Sequence, residues 1–209
     1  NIESKDCKYN ITQSFKMNIE AYLKLLGDKT SNANVLLADG RSVSTDEGLQ
    51  LSTRTIIDRC SVKGAGRVFF IGNGGSAGIA SHMAIDFWKN GEIPAMAFND
   101  GALLTCISND YSYQQVFEKP IDMFMSNKDV LIAISSSGTS KNILNGVSAA
   151  QETGAFVITL SGFSDDNSLR SMGDINFYID SNAYGIVENG HQILLHYIID
   201  EIVNAKYKR

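Results

Sequence analysis

Two stretches of the chain are built alike. RVFFIGNGG, from Arg67 to Gly75, is a short apolar run closed by glycines. DVLIAISSSG, from Asp129 to Gly138, is an apolar run closed by hydroxyls and a glycine. Apolar runs of this length without polar alternation read as strands buried on both faces. Each leads into a segment that predicts a helix, over about 77–89 and about 141–153. PAMAFND, AFVITLSG and INFYIDS are further strand candidates, with helices expected near 102–107 and over about 185–206. Strands alternating with helices predict an α/β fold, here a three-layer, doubly wound parallel sheet. Ligands bind such sheets beyond the carboxyl ends of the strands, and both small-residue loops fall there.

Ahead of this unit two helices are expected. One covers about 12–26, where Phe15, Ile19, Tyr22, Leu23 and Leu26 recur at steps of three and four. The other covers about 45–63, with Leu49, Leu51, Ile56, Ile57 and Val62 apolar. The polar GDKTSNAN between them reads as a loop. Together they predict an N-terminal helical hairpin over 1–65, packing on the core and in oligomer contacts, before a main domain over 66–209. The 209 residues, 44% hydrophobic, are enough for a sizeable core.

The net charge of −5 leaves no basic footprint for nucleic acid. No apolar run approaches the roughly 18 residues of a membrane span. The N-terminus, NIESKDCKYNITQSFK, is polar and lacks the apolar centre of a secretory signal. Cys7, Cys60 and Cys106 are widely spaced with no CxxC, so neither a disulfide framework nor a cysteine zinc site is predicted. These features predict a cytoplasmic protein. The first residue is not Met, and a short upstream piece is expected.

The loop Gly72-Asn73-Gly74-Gly75-Ser76 suits a phosphate. Glycines allow close backbone approach, the following helix presents free N–H groups, and Ser76 adds a hydroxyl. The spacing is wrong for a dinucleotide: in GxGxxG the third glycine would fall at Ala77. The P-loop ending GK[ST] is absent. The second loop, Ser135-Ser136-Ser137-Gly138-Thr139-Ser140, carries five hydroxyls around one glycine. It reads either as a turn capping the next helix or as a phosphate site of neutral donors.

All three histidines lie in two of the predicted helices. His82 and Asp86, four apart, share a face of the helix after the first loop. Glu188, Gln192 and His196 form a stripe at i, i+4 and i+8 on the otherwise apolar last helix. That stripe is either a solvent-facing edge or, with His82 and Asp86, a cluster able to bind zinc or transfer protons. Eight helical residues span about 12 Å, so Glu188 and His196 reach one ion only with extended side chains or from different subunits.

With these motifs in order, the stretch from about 68 to 197 resembles the sugar isomerase (SIS) domain, and most resembles the phosphoheptose isomerases. GNGGS, His82 and Asp86 in the helix after it, Asn109-Asp110 before Tyr111, ISSSGTS, LSG, and Glu188 with His196 eight residues on carry the resemblance. It implies conversion of sedoheptulose 7-phosphate to D-glycero-D-manno-heptose 7-phosphate, feeding heptose synthesis for lipopolysaccharide, capsule or S-layer glycans. Gly74, Ser76, Ser135, Ser136, Ser137 and Ser140 are expected to bind phosphate, and Asn73, Asp110 and Glu188 to line the sugar site. Asp86 and His196 are the expected catalytic base and acid. His82, Asp86, Glu188 and His196 are the expected ligands of a Zn2+ ion. A homotetramer with sites at subunit interfaces is implied too.

The alternative is a non-catalytic SIS-domain protein that binds a phosphosugar or a replication-initiator partner. Four departures from the family stand out: Asp86 where it usually has Glu, Glu188 where it usually has Gln, Gly185 where it often has Asp, and a shorter segment after Asp86 without arginines. Shortening an acid by one methylene withdraws its carboxylate by about 1 Å, a misplacement that can cost about 100-fold in rate.

Overall fold

The computed structural model describes residues 17–61 and 66–207. Cys7, the expected helical start over 12–16, and Val62 and Lys63 lie outside the described residues. The elements in order are α1 (Ile19–Ser31), β1 (Asn34–Leu37), β2 (Ser42–Val43), α2 (Thr45–Cys60), β3 (Val68–Gly72), α3 (Gly75–Lys89), β4 (Ala95–Ala97), α4 (Gly101–Asp110), α5 (Glu118–Phe124), β5 (Val130–Ser135), α6 (Lys141–Glu152), β6 (Phe156–Ser161), β7 (Ile175–Tyr178) and α7 (Tyr184–Tyr207). Short 3₁₀ turns occupy Tyr113–Gln115 and Ser168–Ser171.

The seven strands form one sheet in the order β2-β1-β7-β6-β5-β3-β4. From β4 to β7 all pairs are parallel. The chain leaves β3 outward to β4, then returns to β5 on the other side of β3, so the sheet's switch point lies between β3 and β5. Both small-residue loops open there. Side chains alternate along the central strands. Val68, Phe70, Val130 and Ile132 pack under α1, α2, α3 and α7. Phe69, Ile71, Leu131 and Ala133 pack under α5 and α6 on the opposite face.

The N-terminal segment is more than the expected helical hairpin. The predicted loop GDKTSNAN is largely helix: α1 continues to Ser31, with Leu26 and Thr30 buried and Asn18 capping its first turn. Ile19 and Leu23 stay exposed. Between the two helices, β1 and β2 form an antiparallel hairpin, and β1 adds to the sheet antiparallel to β7. Val35 drives that addition, being 2% exposed at the centre of β1. Cys60 is buried and Cys106 exposed, both as free thiols. Burial pushes the Cys60 thiol up to about 12.

His191 of α7 is fully buried, its Nε2 3.0 Å from the Ser161 carbonyl at the end of β6. Its Nδ1 meets no partner among the described residues. Burial penalises the charged ring and lowers its pKa to about 4. The unfolded chain, titrating near the ordinary value of about 6.5, therefore binds a proton that the native chain refuses. Stability is full above about pH 6.5 and falls as the pH drops towards 4, by about 3 kcal/mol in all. Urea unfolding at pH 7.5 and pH 4.5 is expected to show this loss in the native sequence and a smaller one in His191→Gln. Equal losses in both would refute it.

Candidate active site

The two loops at the switch point enclose a cleft of ≈ 220 Å³ lined by Asn73, Gly74, Gly75, Ser76, Ser135, Ser136, Ser137, Ser140, Tyr184 and Glu188. Helix ends decide its chemistry. α1, α2 and α4 are each closed by a side chain, Asn18, Ser44 and Asp100, that accepts a first-turn N–H. α3 and α6, whose N-termini face the cleft, have no side-chain cap, as is also true of the short α5 elsewhere. Ser140 stands at the N-cap of α6 without making the capping bond, so the capping reading of the serine loop fails. Free N–H groups and the positive ends of two helix dipoles remain for an anion. The Ser136 hydroxyl is buried with no partner among the described residues. Among the described residues no lysine or arginine lines the cleft, and its one charged lining group is the Glu188 carboxylate, so an anion here would be held by neutral donors.

The serine loop is tied from behind: the Gly162 N–H donates to the Ser136 carbonyl at 3.1 Å and the Leu169 N–H to the Gly138 carbonyl at 3.0 Å. Asn167 is 5% exposed. Its Nδ2 donates to Ser161 Oγ at 3.3 Å and to the carbonyls of Gly162 and Ser164 at 3.2 and 2.7 Å, while its Oδ1 accepts the Arg170 N–H at 3.1 Å. Gly138, at φ +61°, passes so close that a Cβ there would lie 1.9 Å from Asn167 Oδ1. Gly138→Ala is therefore expected to cost about 2–4 kcal/mol, combining a left-handed alanine with a clash against a pinned side chain. Thermal melting and phosphate titration check it. An unchanged melting temperature with unchanged phosphate affinity would show that the loop is freer than this.

A second group lies farther along α3 and α7. Asp86 Oδ2 is 3.3 Å from His82 Nε2 and 3.8 Å from His196 Nδ1. The two imidazoles sit edge to face, 5.3 Å apart, and Asn90 Nδ2 donates to Asp86 Oδ1 at 3.2 Å. Side-chain exposure is 51% for His82, 39% for His196 and 18% for Asp86, so the acid is sheltered and the imidazoles are open to a ligand. Each residue offers one ligand atom within 4.8 Å of the others. Tetrahedral zinc with bonds of about 2.0–2.1 Å places its ligand atoms about 3.3 Å apart, against 3.3 and 3.8 Å from Asp86 to the two imidazoles. The set of two imidazoles and one carboxylate is able to hold a metal ion.

Asp110 lies away from the cleft, and Glu188 lines it, as expected of a substrate-site residue, but stands apart from the metal-capable group. Glu188 is not in the His82–Asp86–His196 group. Its carboxylate rests in the serine cleft against Gly75, where an added Cβ would come within 2.5 Å of Oε2. Asp110 does not line the cleft. It is exposed at the end of α4, accepting from Asn109 Nδ2 at 2.9 Å and from Cys106 Sγ at 3.6 Å. Tyr184, Asn142 and Tyr113 escaped the sequence reading. Tyr184 had a signal: it begins the i+4 stripe that continues through Glu188, Gln192 and His196.

The family model described as SIS domain matches residues 45–162. The phosphoheptose isomerase of Leptospira biflexa is 36% identical over 166 residues, covering 76% of this chain and 83% of that protein. The chain belongs to the SIS-domain family. Its place there is among the phosphoheptose isomerases. The solved phosphoheptose isomerase of Neisseria gonorrhoeae superposes with a TM-score of 0.69 at 31% identity, covering 75% of this chain and 86% of that one. That of Francisella tularensis gives 0.74 at 25% identity, covering 89% and 96%. A general isomerase activity on phosphorylated sugars goes with this membership. Among the described residues no helix is long and apolar enough to cross a membrane.

Proposed function

We propose that this SIS-domain isomerase interconverts sedoheptulose 7-phosphate and D-glycero-D-manno-heptose 7-phosphate. The distance between its two groups of residues carries this reading. From Ser76 at the cleft to His82 is six residues of α3, a rise of about 9 Å. An extended heptose 7-phosphate has about eight bonds between C1 and phosphorus, about 12 Å along the bonds at about 1.5 Å each and roughly 10 Å end to end along the zigzag. With the phosphate among Ser76, Ser135, Ser136, Ser137 and Ser140, the C1–C2 end reaches the His82–Asp86–His196 group. A three-carbon phosphosugar would fall short of it.

The proposed chemistry is proton transfer through a cis-enediol. Asp86 takes the proton from the carbon next to the carbonyl and returns it to the neighbouring carbon. His196 gives a proton to the carbonyl oxygen and receives one from the adjacent hydroxyl. Asn90, by holding Asp86 Oδ1, leaves Oδ2 to face the imidazoles and the substrate. Zn2+ bound at His82, Asp86 and His196 would polarise the two substrate oxygens.

The exposed Ile85 and Trp88 on α3, and Ile193 and Tyr197 on α7, share helices with the catalytic group. They support the proposed homotetramer with sites at subunit interfaces. The setting proposed is the cytoplasm, and the product would enter glycan heptose synthesis. The test is to incubate purified protein with sedoheptulose 7-phosphate and zinc and follow aldose formation. Turnover is expected. Phosphosugar binding without turnover would refute the isomerase and leave a binding protein.

A further inference from the structure

Asn142 is 3% exposed on the first turn of α6, just after the serine loop. It joins that loop to the first one by a reciprocal pair of amides. Asn73 Nδ2 donates to Asn142 Oδ1 at 2.9 Å, and Asn142 Nδ2 donates to Asn73 Oδ1 at 2.8 Å. Such a pair alone would read the same with both amides turned over. A backbone group breaks the symmetry: the Ile143 N–H, shared with the Ser140 carbonyl at 3.0 Å, also donates to Asn142 Oδ1 at 3.1 Å. An N–H can only donate, so it fixes which end of the Asn142 amide is oxygen, and the pair then fixes Asn73. Tyr113, from the turn after α4, adds a hydroxyl that donates to Asn73 Oδ1 at 3.0 Å.

We propose that Asn142 is a positioning residue that locks the Asn73 amide with its oxygen turned away from the substrate and one Nδ2 hydrogen free for it. Asn73 Oδ1 is saturated by two donors, and one of its two Nδ2 hydrogens is used. What it presents to the cleft is a donor. The group it recognises is therefore an acceptor oxygen of the phosphosugar, whether a carbonyl, a phosphate or a hydroxyl lone pair. The lock also ties the N-terminus of α3 to that of α6, so the two halves of the anion cleft keep one spacing. This inference rests on the proposed substrate contact of Asn73.

The test is a double-mutant cycle on the full chain, with kcat and KM measured on sedoheptulose 7-phosphate for Asn142→Ala, Asn73→Ala and the pair. Asn142→Ala is expected to raise KM roughly three- to tenfold with kcat within about twofold, the loss of one aligned hydrogen bond to bound substrate. In the Asn73→Ala background the same change should add nothing to KM, although melting temperature falls in both backgrounds. Equal KM increases in the two backgrounds would overturn the proposal.

A second readout needs no turnover. The Asn73 side-chain amide protons should exchange slowly with solvent in the native chain and at least tenfold faster in Asn142→Ala, by NMR. Unchanged exchange would overturn the lock. Should Asn73→Ala leave both kcat and KM untouched while exchange still accelerates, the lock stands and the substrate contact of Asn73 is the part refuted.

Discussion

Asp86→Asn is expected to lower turnover of sedoheptulose 7-phosphate by about 10²- to 10⁴-fold, the usual contribution of a positioned general base. The change keeps shape and volume but removes the proton acceptor and one of the three proposed zinc ligands, so the loss is to be read in zinc-free as well as zinc-loaded protein. KM should stay within a few-fold, because the phosphate is anchored in the serine cleft and Asp86 does not line it. The position of Asp86 makes the effect specific. Its Oδ2 stands 3.3 Å from one imidazole and 3.8 Å from another, on a helix packed against α7, so no second carboxylate takes its place within the group. Glu188, the other carboxylate proposed for the site, sits against Gly75. Incorporation of solvent deuterium into the recovered sugar reports the same step without product formation and should fall in parallel. A variant that keeps both turnover and exchange would move the base elsewhere, with Glu188 the first residue to replace.

The parallel part of the sheet was readable because β3, β5 and β6 are buried strands whose local composition repeats their structural role. The position of the two small-residue loops was readable for the same reason: each directly follows a buried strand, although the second left a capping turn and an anion site both open. The β1–β2 hairpin was not. Its strands have four and two residues, only Val35 among them is buried, and its pairing partner β7 lies about 140 residues away. The Asp39-Gly40 pair, a hairpin-turn signal, was the available clue.

The polar stripe on α7 shows a different failure. Equal spacing suggested one set of ligands, yet two helical turns carry Glu188 to the anion cleft and leave His196 at the metal-capable group. The sequence periodicity gave the face, and the rise of about 12 Å over eight residues already set Glu188 and His196 far apart along it. Gly185, a departure when compared with the family, has a local reason. A Cβ there would lie 2.6 Å from the Tyr22 hydroxyl of α1, so an aspartate would require the Tyr22 side chain to move aside.

Zinc should bind the native chain, and His196→Ala should weaken that binding by at least about 100-fold, the upper range found for losing only a supporting contact to a ligand. Three protein ligands are the number typical of catalytic rather than structural zinc, because a fourth position stays open to water or substrate. His82 and Asp86 are one helical turn apart on α3, so a single helix supplies two ligands at fixed spacing and α7 supplies the third. Removing His196 leaves a two-ligand site on one exposed helix face. Removing His82 should do the same, whereas Glu188→Gln should leave zinc affinity within about threefold, since its carboxylate lies with Gly75 and outside the group. Isothermal titration with zinc, backed by metal analysis of protein purified without chelator, separates these outcomes. A Glu188→Gln loss as large as that of His196→Ala would mean that the carboxylate swings from Gly75 to the ion. No zinc uptake by the native chain would leave His82, Asp86 and His196 as an acid–base group alone.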